Sequence, residues 1–221
     1  MTPERFHHLR EVLARRQVTL TVLMENVHKP HNYSAVLRSC DAVGIHRAHA
    51  ISSQAVVSTA KMHSSSASAA KWVQVTVHGD IHEACASLHA EGFSIFAAHL
   101  GADARDYRTV DYTQPVAILL GAEKDGVTPE ALEHVDGCIH IPMQGMVQSL
   151  NVSVANAVVL FEAQRQRVQA GMYARGGLSE AELTAQLFEW AYPRIAELCR
   201  RRRAPYPELD SDGRIVGPVP R

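Results

Sequence analysis

Three polar or glycine-bearing loops in this 221-residue chain have the composition of a ligand site. The first, Lys29-Pro30-His31-Asn32, leads into a segment that carries Arg38. Asn32 and Arg38 lie six residues apart, nearly two helical turns, so they do not stack on one face. Taken alone, Asn32 reads as a helix N-cap, its side chain accepting from an orphan backbone N–H. The second loop, Leu119-Leu120-Gly121-Ala122-Glu123-Lys124-Asp125-Gly126-Val127, ends an apolar run in glycine, places charged residues and closes on another glycine. Such a loop lets a ligand approach the backbone. It has neither Gly-x-Gly-x-x-Gly nor the Walker spacing, so neither a dinucleotide nor a nucleoside triphosphate is indicated. The third loop, from Ile141 to Ser153, sets Ser149 and Asn151 near a helix start, where backbone amides hold an anion or a carboxylate. Its apolar residues can wall a flat ring, yet each loop by itself also reads as ordinary capping and core packing.

The intervening elements must hold these loops in place. Thr2-Pro3-Glu4 predicts a helix to about Arg16, with a strand in Val18–Met24. A helix follows over residues 33–43, ended by Gly44, then a strand near Arg47–Ile51 and a Ser/Ala-rich stretch over 52–70 read as loop and short helix. Trp72–Val77 alternates like a strand, and Asp80 with Glu83 predicts a capping box for a helix that ends before Gly92. Phe93–Ala98 and Val116–Leu120 are continuous apolar runs, the pattern of strands covered on both faces. A short helix over Thr128–Val135 precedes a strand at Cys138–Ile141. The long helix from Leu150 to about Ala170 is apolar nearly all round in its first half, which calls for a second cover such as a subunit interface. Ser179–Arg203 aligns Leu183, Leu187, Trp190 and Leu198 on one stripe broken at Pro193, and the proline-bearing tail from Ala204 reads as extended. Strands alternating with helices across 18–170 predict an α/β fold with a mainly parallel sheet, whose ligand loops lie at the carboxyl ends of strands.

Composition narrows the function. With 46% hydrophobic and 20% charged residues the chain is globular, not disordered. No apolar run approaches the roughly 18 residues of a membrane span. Charges stand where a signal peptide needs an apolar core, and the four scattered cysteines read as reduced thiols; both place the protein in the cytoplasm. The thirteen histidines show no ligand spacing, so no metal is expected. The net charge of −1 conceals an asymmetry, because residues 1–16 hold four Arg against two Glu and residues 165–221 ten Arg against seven acids. Arginine presents a planar fork that matches phosphate oxygens, so Arg10, Arg15, Arg16, Arg165, Arg167, Arg175, Arg200, Arg201, Arg202 and Arg203 are candidate nucleic-acid contacts. A solvated helix end is the plainer reading of Arg200–Arg203.

Asn32-x5-Arg38-x5-Gly44, then Leu-Leu-Gly-Ala-Glu-Lys-Asp-Gly-Val, then Ile-Pro-Met-x-Gly-Met-Val-x-Ser-Leu-Asn-Val-Ser-Val-Ala resemble, in order and spacing, the three motifs of the SpoU/TrmH branch of the SPOUT RNA 2′-O-methyltransferases. The resemblance spans 18–170, and Ala-Arg-Arg-Gln, Glu-Ala-Gln-Arg-Gln-Arg and Arg-Arg-x-x-Pro-Tyr-Pro resemble the members that act on guanosine 18 of the tRNA D-loop. It implies a sheet whose C-terminal part forms a trefoil knot, a homodimer, and S-adenosylmethionine bound by Ala98, Gly121, Ile141 and Leu150. It implies a catalytic set of Arg38, Asn32, Glu123, Ser149 and Asn151, with tRNA as partner and His31 among its contacts. Arg38 then reads as an electrostatic stabiliser, since a guanidinium hardly deprotonates. The implied organisation is a basic N-terminal helix (1–17), a methyltransferase domain (18–170) and an Arg-rich RNA-binding extension (171–221). A relative acting on ribosomal RNA and a non-catalytic RNA-binding relative are the alternatives.

Overall fold

The computed structural model describes residues 1–51 and 71–220, so the 52–70 stretch with its Ser64–Ser66 run lies outside the described residues. The chain forms two compact units, one of residues 18–172 and one of residues 1–17 with 173–221.

In the larger unit, continuous apolar segments became the central strands. β1 (Leu20–Met24) and β6 (Val116–Leu120) are buried at every position and pair in parallel from Leu20↔Val116 to Met24↔Leu120. Around them lie β2 (Arg47–Ile51), β3 (Gln74–His78), β4 (Ser94–Ala98), the two-residue β5 (Arg105–Asp106) and β7 (Gly137–His140). The order is β3-β2-β1-β6-β4-β7-β5, with every pairing parallel. Side chains alternate across the sheet as a pleat requires. Leu20, Val22, Met24, Val116, Ile118 and Leu120 face one core, with Val36, Leu37 and Cys40 of α2 (Pro30–Ala42) and Val159, Leu160 and Ala163 of α5 (Val152–Gln169). Leu23, Ala117 and Leu119 face the other, with Ile81, Ala84, Cys85 and Leu88 of α3 (Ile81–Ala90) and Ala131 of α4 (Pro129–Leu132). This is the expected mainly parallel α/β sheet, covered on both faces.

Local chemistry moved several element starts. α2 begins at Pro30 with Lys29 in the cap position and no side-chain cap bond, so Asn32 is not an N-cap but sits inside the first turn. Proline suits that start because its missing N–H is an orphan there anyway. Asp80 caps α3 by accepting from Glu83 N–H, but the Glu83 carboxylate accepts from Gly79 N–H rather than closing the predicted box on Asp80. α4 is one turn long, capped by the Thr128 hydroxyl.

In the smaller unit, α1 (Pro3–Ala14) buries Phe6, Leu9 and Leu13 on one stripe. After the one-turn α6 (Met172–Arg175), α7 (Glu180–Ala191) carries a full capping box at Ser179 and Glu182. α8 (Pro193–Arg202) follows it after the break at Pro193. Arg16 is fully buried and stacks over the Trp190 ring at 5.2 Å, which removes it from the phosphate-facing arginines expected from sequence. The tail pairs β8 (Glu208–Leu209) with β9 (Ile215–Val216), and a Cβ on Gly213 (φ +79°) would fall 2.4 Å from the Phe6 ring.

Candidate active site

The carboxyl ends of β4, β6 and β7 and the start of α5 enclose a cavity of about 310 Å³. Leu120, Ile139, Val152 and Val159 give it apolar walls, and Glu123, Gln148 and Ser149 bring polar groups to its lining. Ala98, Gly121, Ile141 and Leu150 all line it. Sequence reasoning missed His99 and Met143, which also face it; His99 directly follows β4, so its place at a strand end was the available signal. Gly121 is there for a steric reason. A Cβ at that position would lie 2.2 Å from the Gly126 carbonyl, because Ala122 and Gly126 exchange backbone hydrogen bonds of 2.8 and 3.0 Å that close the loop on itself.

Beside this cavity one hydrogen-bond chain joins all three loops. Ser153 donates from its backbone (2.9 Å) and hydroxyl (2.7 Å) to Asn151 Oδ1. Asn151 Nδ2 donates to Asn32 Oδ1 at 3.2 Å, and Asn32 Nδ2 donates to Glu123 Oε2 at 3.2 Å. Asn32 is buried and every donor in the chain points toward the carboxylate, so the amide orientations are mutually dependent. Lys29 adds an ion pair to the same Glu123 oxygen, a contact the sequence reading did not single out. The Lys29 ammonium, then the Asn32 amide and the His31 charge, hold the Glu123 carboxyl below its ordinary range against the opposing pull of burial. Glu123 is therefore a carboxylate at neutral pH and an acceptor rather than a strong base.

Ser149 is exposed at the cavity lining, two residues before the Asn151 cap of α5. Arg38 stands apart from the chain. It is exposed on α2, about 9 Å along the axis from Asn32, beside His31 and Ser34 at a shallow depression, and its side chain makes no hydrogen bond or ion pair with any described residue. Arg167 departs furthest from expectation. It is fully buried, and its guanidinium donates to the carbonyls of Tyr112 (2.8 Å), Thr19 (2.7 Å) and Gln114 (3.0 Å) and to the Thr19 hydroxyl (3.0 Å). With its donors spent on backbone, Arg167 fastens α5 to the strand starts and is not available to a phosphate. Arg10, Arg15, Arg165, Arg175 and Arg200–Arg203 are exposed.

Residues 19–161 match the SpoU rRNA Methylase family, and residues 165–218 match the family described as SpoU, rRNA methylase, C-terminal. The chain belongs to the SpoU methylase family. This SpoU methylase is 51% identical over 217 residues to the tRNA (guanosine(18)-2′-O)-methyltransferase of Escherichia coli (strain K12), spanning 97% of this chain and 94% of that protein. Its fold matches the crystal structure of the Aquifex aeolicus TrmH/SpoU tRNA modifying enzyme with a TM-score of 0.79 at 41% identity, over 86% of this chain and 96% of that one. It also matches the SpoU methyltransferase AviRb of Streptomyces viridochromogenes in complex with AdoMet, with a TM-score of 0.61 at 27% identity, over 67% of this chain and 60% of that one. Within this SpoU methylase no helix among the described residues is long and apolar enough to cross a membrane. No group of three or more His, Cys, Asp or Glu among them is placed to hold a metal ion.

Proposed function

We propose that this SpoU methylase transfers a methyl group from S-adenosylmethionine to the ribose 2′-hydroxyl of guanosine 18 in tRNA, and that it works in the cytoplasm as a homodimer. The observation that carries the reading is the Asn151–Asn32–Glu123 chain set beside an apolar-walled cavity at the strand ends. The likeness to the Escherichia coli enzyme over nearly the whole chain supports guanosine 18 of tRNA as the target.

The cavity fits S-adenosylmethionine. Its volume lies in the range of small-molecule sites, its lining mixes apolar side chains such as Leu120, Val152 and Val159 with polar groups, and Ala98, Gly121, Ile141 and Leu150 all lie on it. When bound, S-adenosylmethionine would supply an electrophilic methyl on a sulfonium, whose thioether sulfur is the leaving group as the methyl passes to a ribose oxygen. The residues of this chain do the positioning and the charge handling. Asn32, Asn151 and Ser149 orient the ribose, with Glu123 fixing the Asn32 amide. Arg38, exposed and without a side-chain partner among the described residues, stabilises the negative charge that develops on the oxygen as its proton passes to solvent. The knot implied by the family resemblance belongs to the same reading, as the path that brings 141–151 against 121–127.

Substrate binding falls to local arginines, because a net charge of −1 gives no global attraction for RNA. Arg10, Arg15, Arg165, Arg175 and Arg200–Arg203 with His31 form that set, and Arg16 and Arg167 leave it. The dimer reading rests on α5, where Val154, Phe161 and Val168 are spaced by seven and remain about half exposed (48, 50 and 59%). Incubation with labelled methyl donor and, in separate reactions, unmodified tRNA or ribosomal RNA, followed by mapping of the label, tests the proposal; label on ribosomal RNA alone, or none, contradicts it.

A further inference from the structure

The β1–α2 and β6–α4 loops are tied at their tips by Lys29 and Asn32 on Glu123. They are tied a second time at their base, by a residue that neither the motifs nor the mechanism uses. Glu25, 4% exposed at the end of β1, accepts the Thr128 hydroxyl at 2.6 Å on Oε1 and the Thr128 N–H at 3.0 Å on Oε2. Its own N–H donates to the Leu120 carbonyl at 2.8 Å, which places it against the last residue of β6. Thr128 in turn accepts from Ala131 N–H at 3.1 Å and so caps α4. Immediately after Glu25 the chain turns back through Asn26, whose φ of +56° lies in the left-handed region, and His28 N–H closes the turn on the Asn26 carbonyl at 2.9 Å. That turn delivers Lys29 to Glu123. Burial and the charge of Glu25 together push the neighbouring Cys85 thiol up to about 11.

A buried carboxylate is retained where it satisfies donors that nothing else reaches. Here it satisfies both donors of the residue that follows Val127, the last of the loop carrying Gly121 and Glu123. We infer that Glu25 is a positioning residue: by holding Thr128 it fixes the 121–127 loop in the geometry that sets Glu123 against Lys29 and Asn32. Its consequence for turnover rests on the proposed methyl transfer; the tie itself does not.

The test uses the full chain with Thr128→Val, Thr128→Ser, Glu25→Gln and the double variant Glu25→Gln/Thr128→Val. Valine keeps the shape but leaves Glu25 Oε1 without its hydroxyl partner, while serine keeps it. In the free protein, amide exchange at Ala122, Gly126 and Thr128 should quicken about tenfold in Thr128→Val, the scale of one hydrogen bond to a charged group, with β2 and α5 amides unchanged. Thr128→Ser should restore parent exchange, and the double variant should add nothing further. In turnover, Thr128→Val should lower kcat and raise KM for S-adenosylmethionine, with tRNA affinity unchanged. Parent-like exchange at the three amides, a uniform rise across the sheet, or additive effects in the double variant overturn the proposal. If exchange responds as expected but the parent protein methylates no tRNA, the functional reading fails and the tie stands.

Discussion

Replacing Asn32 by Asp changes one side-chain atom and almost no volume, yet it should be among the most damaging substitutions in this protein. Asn32 Nδ2 donates to Glu123 Oε2 and Asn32 Oδ1 accepts from Asn151, each at 3.2 Å. Aspartate keeps the second bond and converts the first into a contact between two carboxylate oxygens. The lost bond had a charged acceptor, worth about 1.5–3 kcal/mol, and like charges at this distance add repulsion that Lys29 offsets only in part. A loss of about 3 kcal/mol in positioning corresponds to about a hundredfold in kcat. Asn32→Ala, which removes both bonds without adding charge, should lose less than Asn32→Asp at neutral pH. The sign reverses with acid. The two carboxylates then share a proton, so the Asn32→Asp deficit should shrink as pH falls toward about 5 while that of Asn32→Ala does not. Single-turnover methyl transfer to tRNA across pH, with S-adenosylmethionine affinity measured in parallel, reads both effects. An Asn32→Asp protein within a few-fold of parent at neutral pH refutes the view that the chain positions the reaction.

Four further outcomes follow from the geometry. Arg38→Ala should cut kcat by about 10²–10³, the cost of losing a donor to a developing oxyanion, with S-adenosylmethionine affinity unchanged by calorimetry; near-parent turnover removes Arg38 from the mechanism. Arg200 pairs with Glu189 and Tyr206, and Arg201 with Glu197, whereas Arg202 and Arg203 make no ion pair or hydrogen bond through their side chains with a described residue. Arg202→Ala/Arg203→Ala should weaken tRNA binding and lower its salt slope by roughly 0.7–0.9 for each phosphate no longer neutralised, and unchanged slopes leave the pair as solvated surface. Phe161→Glu should shift sedimentation from dimer to monomer, and a parent protein that is monomeric at micromolar concentration contradicts the α5 interface. Burial, His78 and Arg47 depress His49 to about 4; protons then bind the unfolded chain first, so stability is lost as pH falls below about 6.5. His49→Gln should remove about 2 kcal/mol of the loss between pH 7.5 and 5 in urea unfolding, and an equal pH dependence in both proteins discounts the His49 shift.

The sequence was most legible where one physical rule acted alone. Val116–Leu120 begins and ends where expected, because Pro115 and Gly121 punctuate a run that only a covered strand accommodates. The four residues assigned to the cofactor line one cavity, because loops at the ends of adjacent parallel strands converge whatever their length. Readings failed where partners were distant in sequence. Asn32 looked like a cap because its partners, Glu123 and Asn151, are 91 and 119 residues away; Pro30 was the overlooked sign of an earlier helix start. Arg16 and Arg167 looked like phosphate ligands because nothing in a string of arginines distinguishes one that stacks on Trp190 or feeds four backbone and hydroxyl acceptors from one in solvent. Glu25 carries no signal in the sequence, since a carboxylate after a strand is common and its use depends on Thr128, 103 residues on.

The central claim is that the acceptor is one ribose oxygen. Two otherwise identical tRNAs, one with ribose and one with 2′-deoxyribose at guanosine 18 alone, measured with labelled S-adenosylmethionine and the parent protein, address it directly. The account predicts one methyl per tRNA on the first, mapped to that 2′-oxygen, and none on the second. Equal incorporation into both, or label on a base or another nucleotide, contradicts it.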